Sequence, residues 1–149
     1  MSKSNSRIQQ QIDVFHAPPL SAQTPSLALA SSIIQACLDS KGSDLEVLDV
    51  STAFGLADYF VIVSGRSDRH VQGLVNRVLN ALEDEGHDVQ SIEGYENGHW
   101  VVVDCGDVVL HAFYEPVRES YDIESHWAQA PRMALNEDVL KIDRRLHAA

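Results

Sequence analysis

Apolar positions along this chain change period several times, and the changes outline its elements. From Ser26 to about Lys41, the residues Leu27, Ala30, Ile34, Cys37 and Leu38 share one helical face, with Pro25 and Ser26 at the start and Gly42 expected as the C′ residue. LEVLDV (45–50) reads as a strand. After a loop containing Gly55 so does ADYFVIVSG (57–65), which is rich in β-branched and aromatic residues. The clearest helix begins at Ser67, where Val71, Leu74, Val75, Val78, Leu79 and Leu82 recur at helical spacing, and Gly86 ends it. A short strand is expected near 89–93. HWVVVDCGDVVLHAF (99–113) has the pattern of a β-hairpin with Gly106 and Asp107 at its turn, and 115–127 that of a short last helix. The order α-β-β-α-β-β-β-α predicts an α/β fold with a mixed sheet of about five strands. Because Val101, Val102 and Val103 are apolar on consecutive positions, the sheet should be covered on both faces, and the two apolar-faced helices can supply that cover.

The flanks are different in kind. Residues 1–24 are rich in Ser, Gln and Pro with no sustained apolar period, and read as a flexible arm. Beyond Trp127 an Ala130-Pro131 break precedes Leu135, Val139, Ile142 and Leu146 at helix-like spacing, so 128–149 reads as a C-terminal tail with a short helix. The folded domain is then 25–127, one domain in a chain of 149 residues. With 44% apolar and 22% charged residues, wholesale disorder is excluded. No run approaches the ~20 apolar residues of a membrane span, and the first residues lack the apolar core of a secretory signal. Cys37 and Cys105 are the only cysteines, one on a helical stripe and one beside a turn, which implies no disulfide framework. A cytoplasmic protein without membrane contact is expected.

Charge narrows the choice of partner. The net charge is −11, yet residues 25–127 alone carry 18 acidic against 5 basic side chains, while both flanks are slightly basic. Such a domain is repelled by a phosphate backbone, which argues against extensive nucleic-acid binding. A basic protein surface is the complementary partner. The plainer reading is that acidity keeps the protein soluble.

Several constellations invite a chemical reading. Asp104 and Asp107 flank the hairpin turn and His99 and His111 lie toward its open end, but a metal needs three or four ligands converging at about 2.0–2.2 Å. At strand rise His111 lies roughly 13 Å from Asp107, and no HxxxH or CxxC spacing occurs. A metal site is therefore not expected. Val63-Ser64-Gly65, ending a strand before a helix, resembles the start of a nucleotidyltransferase site, but that chemistry requires two carboxylates one residue apart on the next strand. No such Asp-x-Asp pair, GxxxxGK[ST] loop, GxGxxG or GxSxG elbow is present, so neither catalysis nor a cofactor is expected. Arg66, Arg69 and His70 oppose the dipole at the start of the long helix, which points either to an anionic partner or to pairing with Asp68 or another acid of the domain. Trp100 opens a hairpin strand, where an aromatic is usually core, but Trp is also the residue most enriched at interface hot spots and is the expected partner anchor. Tyr121, Glu124 and Trp127 carry the same ambiguity.

LDV (48–50), ADYFVIVSGRSDRHVQGL (57–74), Glu93-Gly94, WVVVDCGDVVLHAF (100–113) and the set Arg118, Tyr121, Glu124 and Trp127 closely resemble the ribosomal silencing factor family, also called RsfS, YbeB or Iojap. The resemblance spans about 27–127, departing at Cys105 and at Pro116-Val117. It implies a nucleotidyltransferase-like fold without the catalytic carboxylates, in agreement with the missing Asp pair. It further implies binding to the large-subunit ribosomal protein numbered fourteen, a block to joining of the small subunit, and down-regulated translation when nutrients are scarce. Organelle relatives assist assembly of the large subunit. Partner-binding candidates on this reading are Asp58, Arg69, His70, Glu93, Trp100, Asp104, Asp107, His111, Arg118 and Tyr121, and a homodimer is an option for the free protein. The competing hypothesis is a nucleotide- or metal-using enzyme on a related fold.

Overall fold

The computed structural model describes residues 24–133 except 53, 54 and 56. Thr24 apart, the N-terminal arm lies outside that range, as does the helix expected over 135–146. Helix α1 (Pro25–Asp39) is capped by Thr24, whose Oγ1 accepts from the Leu27 amide at 3.1 Å. Its exit corrects the expectation for Gly42. The left-handed C′ residue is Lys41 (φ 62°), with the Gly42 amide bonded to the Cys37 carbonyl and the Lys41 amide to that of Leu38, a Schellman motif shifted by one residue. Gly42 is needed for space instead: a Cβ there would lie 2.5 Å from Val63 Cγ2 and 3.0 Å from Leu74 Cδ1.

Strands β1 (Ser43–Asp49) and β2 (Tyr59–Gly65) come next, then helix α2 (Asp68–Asp84), β3 (Ser91–Glu93), β4 (Trp100–Asp104) and β5 (Val108–Tyr114). Ser67 caps α2 through its Oγ, and the helix buries Val71, Leu74, Val75, Val78 and Leu82, the stripe its spacing predicts. The sheet order is β1-β2-β5-β4-β3, with β2 and β5 parallel and the other pairs antiparallel. This is the mixed five-stranded sheet expected. No helix among the described residues is long and apolar enough to cross a membrane.

The cover is arranged differently from expectation. Both α1 and α2 lie on one face, where Ile33, Ile34, Leu74 and Val78 pack on Val61, Val63, Val101, Val103 and Leu110. The opposite face carries a smaller cluster of Leu48, Phe60, Ile62, Val109 and Phe113. Among the described residues it is closed mainly by the chain beyond β5: helix α3 (Glu115–Tyr121), helix α4 (Ile123–His126) and the turn to Ala130. The single last helix read from sequence is thus two, broken where Asp122 turns left-handed (φ 50°), a conformation short acidic residues tolerate. The break lets Ile123 enter the core and brings Glu124 back to Arg118. Residues 131–133 then pair with the outer edge of β1, through the Asp49 amide to the Pro131 carbonyl and the Met133 amide to that of Val47, both 2.8 Å.

Candidate functional site

Strand register decides which candidates share a surface. Side chains alternate across a strand, so Trp100, Val102 and Asp104 of β4 face away from α1 and α2, while Val101 and Val103 face toward them. Directly opposite on β5 stand Phe113, His111 and Val109. On β3, Glu93 lies opposite Val102 and Ser91 opposite Asp104. Glu93, Trp100, Asp104 and His111 therefore occupy one face of the sheet. The loop joining β3 to β4 is held close by Gly94, which is left-handed (φ 82°) and whose Cβ would sit 2.2 Å from the Trp100 carbonyl oxygen. A side chain at residue 94 would push the loop off the strand.

At the centre of this face the Trp100 indole stacks on Phe113 with ring centroids 5.0 Å apart and planes inclined 22°, and Tyr121 of α3 meets it at 4.8 Å. Its Nε1–H donates to His111 Nδ1 at 3.2 Å. His111 is 7% exposed, and burial pushes its pKa down to about 4, so the ring is neutral near pH 7. Because Nδ1 accepts, the proton sits on Nε2, which is buried without a hydrogen-bond partner among the described residues. Trp100 is half-buried and Tyr121 is 54% exposed. Together with Gly94, Asn97, His99 and Val117 they border an open cleft. The exposed carboxylates Glu93 and Glu96 stand on the strand and loop that lead into it. The face thus combines an aromatic centre with carboxylates on the adjoining strand and loop, in a chain of net charge −11.

The remaining candidates fall elsewhere. Asp104 shares the face of Trp100 but at the far end of β4, roughly 13 Å away at strand rise, and its Oδ1 accepts from the Gly106 amide to shape the hairpin turn. Asp107 is exposed at that turn, and its carbonyl accepts from the Asp58 amide. Asp58 takes the Ser26 hydroxyl at 2.5 Å, tying the hairpin end to α1. Among the described residues no three His, Cys, Asp or Glu side chains are grouped to hold a metal. The expected basic cluster is split. Arg66 and Arg69 are exposed, whereas His70 Nδ1 accepts from the Arg66 amide and its Nε2–H donates to the Ser40 carbonyl at 2.7 Å, so the ring joins the α2 entry to the α1 exit.

Arg118 was expected to face a partner but points inward. It is 8% exposed; its guanidinium clamps Glu124 through Nε (2.9 Å) and Nη2 (2.6 Å), while Nη1 donates to the Asp44 carbonyl and Ser64 Oγ. Both cysteines are buried free thiols whose pKa burial raises, that of Cys105 to about 11, so neither is a ready nucleophile. Sequence reasoning missed the Trp100–His111 bond because it placed His111 at the open end of the hairpin. Counting from the Gly106 turn pairs it with Val102, mid-sheet and diagonal to Trp100.

Fold and surface together define a mixed α/β domain in which two long helices cover one sheet face and the other, closed in part by the short helices beyond β5, bears an aromatic cleft. The family model described as ribosomal silencing factor during starvation, RsfS, matches residues 23–148, and the chain belongs to that family. It is 42% identical over 103 residues to the ribosomal silencing factor RsfS of Chromobacterium violaceum, covering 68% of this chain and 84% of that protein. To the Bacillus subtilis RsfS it is 38% identical over 96 residues, 64% and 81% of the two chains. A mouse protein named for mitochondrial assembly of the ribosomal large subunit is 33% identical over 87 residues, 56% of this chain and 38% of that one. A crystal structure of a Chromobacterium violaceum protein superposes with a TM-score of 0.66 at 39% identity, over 72% of this chain and 91% of the other.

Proposed function

We propose that this protein represses translation by binding the large ribosomal subunit through its protein numbered fourteen and sterically excluding the small subunit, without catalysing a reaction, and that it acts in the cytoplasm. The observation that carries the reading is the Trp100–Tyr121 cleft with its neighbouring carboxylates, a surface complementary to a basic ribosomal protein. The names of its relatives, silencing factors and a large-subunit assembly protein, support it. Assistance to large-subunit assembly is part of the same proposal. In a density gradient, isolated subunits mixed with saturating protein are expected to stay separate, with no nucleotide hydrolysis. Normal formation of joined ribosomes overturns the repressor reading, and metal-dependent nucleotide turnover favours the enzyme.

Within this reading Trp100 is the anchor. Trp100→Ala is expected to weaken binding to the large subunit by about 2 kcal/mol or more, as truncated interface aromatics do. Half-buried, it should cost less stability than the ~3–5 kcal/mol of a fully buried tryptophan. Affinity and urea unfolding measured on one variant separate the two effects, and unchanged affinity removes Trp100 from the interface.

A further inference from the structure

We propose that His111 is a positioning residue: by accepting the indole N–H of Trp100 it fixes that ring against Phe113 and turns the ring's one polar atom away from the partner-facing cleft. The inference about binding rests on the function proposed above; the inference about the indole does not.

An apolar side chain would suit this position better than an imidazole on packing grounds alone. His111 lies in a cross-strand row between Ile62 of β2 and Val102 of β4, and both neighbours are aliphatic. A leucine or phenylalanine would fill that site and bury no polar atom of its own. The imidazole instead leaves Nε2 buried and unpartnered among the described residues, a feature uncommon in native proteins and destabilising in itself. The histidine's contribution is its other nitrogen. Nδ1 is 3.2 Å from Trp100 Nε1, and the ring lies 6.0 Å from the indole as its diagonal neighbour on the adjacent strand. An indole nitrogen can only donate, so Nδ1 must be the acceptor and the proton must reside on Nε2. The orphaned Nε2–H is thus a necessary companion of the Trp100 bond.

The bond has a geometric consequence. Stacking on Phe113 (5.0 Å, 22°) sets the plane of the indole but does not by itself distinguish the ring from one turned over by 180° about its Cβ–Cγ bond. The His111 bond selects the orientation in which Nε1 points into the protein. The cleft between Trp100 and Tyr121 then presents the π-face and hydrocarbon edge of the indole, with no donor demanding an acceptor from the partner. Without the bond, Nε1–H would be left buried or turned to the cleft, and either outcome weakens docking.

The test uses the full-length protein. Its two tryptophans give two indole N–H signals in a nitrogen-labelled spectrum, and Trp100→Phe identifies the one of interest. His111→Phe fills the site without an acceptor, and His111→Leu repeats the arm should Phe fail to fold. His111→Asn keeps an acceptor at a reach similar to Nδ1. Hydrogen exchange of the Trp100 indole is expected to be protected in the parent and in His111→Asn, and at least about tenfold faster in the acceptor-free variants. Affinity for isolated large subunits should fall about tenfold in the acceptor-free variants and stay within about threefold in His111→Asn, whatever their relative stabilities. The positioning role is overturned if indole exchange is unchanged without the acceptor, or if affinity tracks melting temperature equally in all variants. If the parent does not bind large subunits, the proposed function fails, while the exchange arm still decides what His111 does.

Discussion

Arg118→Ala is expected to lower the free energy of unfolding by about 3–5 kcal/mol, the range for removing one partner of a buried ion pair. Four contacts disappear together. Glu124, whose side chain is 20% exposed, loses both guanidinium bonds, and the buried Ser64 hydroxyl and the Asp44 carbonyl lose their donor. The damage extends through the backbone. Asp44 is left-handed (φ 50°) within β1, and Glu124 lies in the first turn of the short helix after the Asp122 break, so the clamp joins two local irregularities that have little else in common. Urea unfolding should show the loss as a lower midpoint with an unchanged slope. Arg118→Met combined with Glu124→Leu should recover most of it, because replacing both charged groups avoids an uncompensated buried carboxylate. A loss below about 1 kcal/mol for Arg118→Ala would show that the pair is solvated and ordinary.

Acid should act through His111. Its pKa is about 4 in the folded protein against the ordinary 6.5, because burial disfavours the imidazolium. Between those values the unfolded chain takes up a proton that the folded chain refuses, so stability falls as the pH is lowered. The contribution is complete above pH 6.5 and lost by pH 4, on the order of 3 kcal/mol. Carboxylates titrate near the lower end, so the measurement is comparative. Unfolding midpoints measured from about pH 7.5 to about pH 4.5 should drop more steeply for the parent than for His111→Phe, which cannot titrate. Parallel curves would mean that His111 is protonated in the folded state as readily as in the unfolded one.

Fold and site were legible to different depths. Periodicity found the elements because each buries a simple pattern: Val71, Leu74, Val75, Val78 and Leu82 form a stripe that only a helix keeps on one side. The side of the sheet that α1 and α2 choose was not written in either helix, since both patterns ask only for an apolar surface and each sheet face offers one. Lys41 took the left-handed position at the exit of α1 because Gly42 was already required by Val63 and Leu74, a constraint from distant parts of the chain. Trp100 and Tyr121 were recognised as candidates, and the structure brings them into contact. Arg118 was misread for a physical reason. A basic side chain in an acidic protein suggests solvent, and nothing local announces that Ser64, 54 residues away, will meet it. The two acidic groups near the hairpin turn were equally convincing as partner contacts, yet the carboxylate of Asp104 is engaged with its own backbone.

The strip of chain at 131–133 has an effect beyond closing the core. A β-sheet polymerises only if it offers two free edges, one to give and one to receive. Here residues 131–133 occupy the margin of β1 at Val47–Asp49, and the Asp44 carbonyl further along is taken by Arg118. Among the described residues the three-residue β3 is left as the open margin. Sheet-to-sheet growth between copies would have to join β3 to β3 about a two-fold axis, which ends at a pair. Growth by edge addition between such sheets thereby stops at a pair.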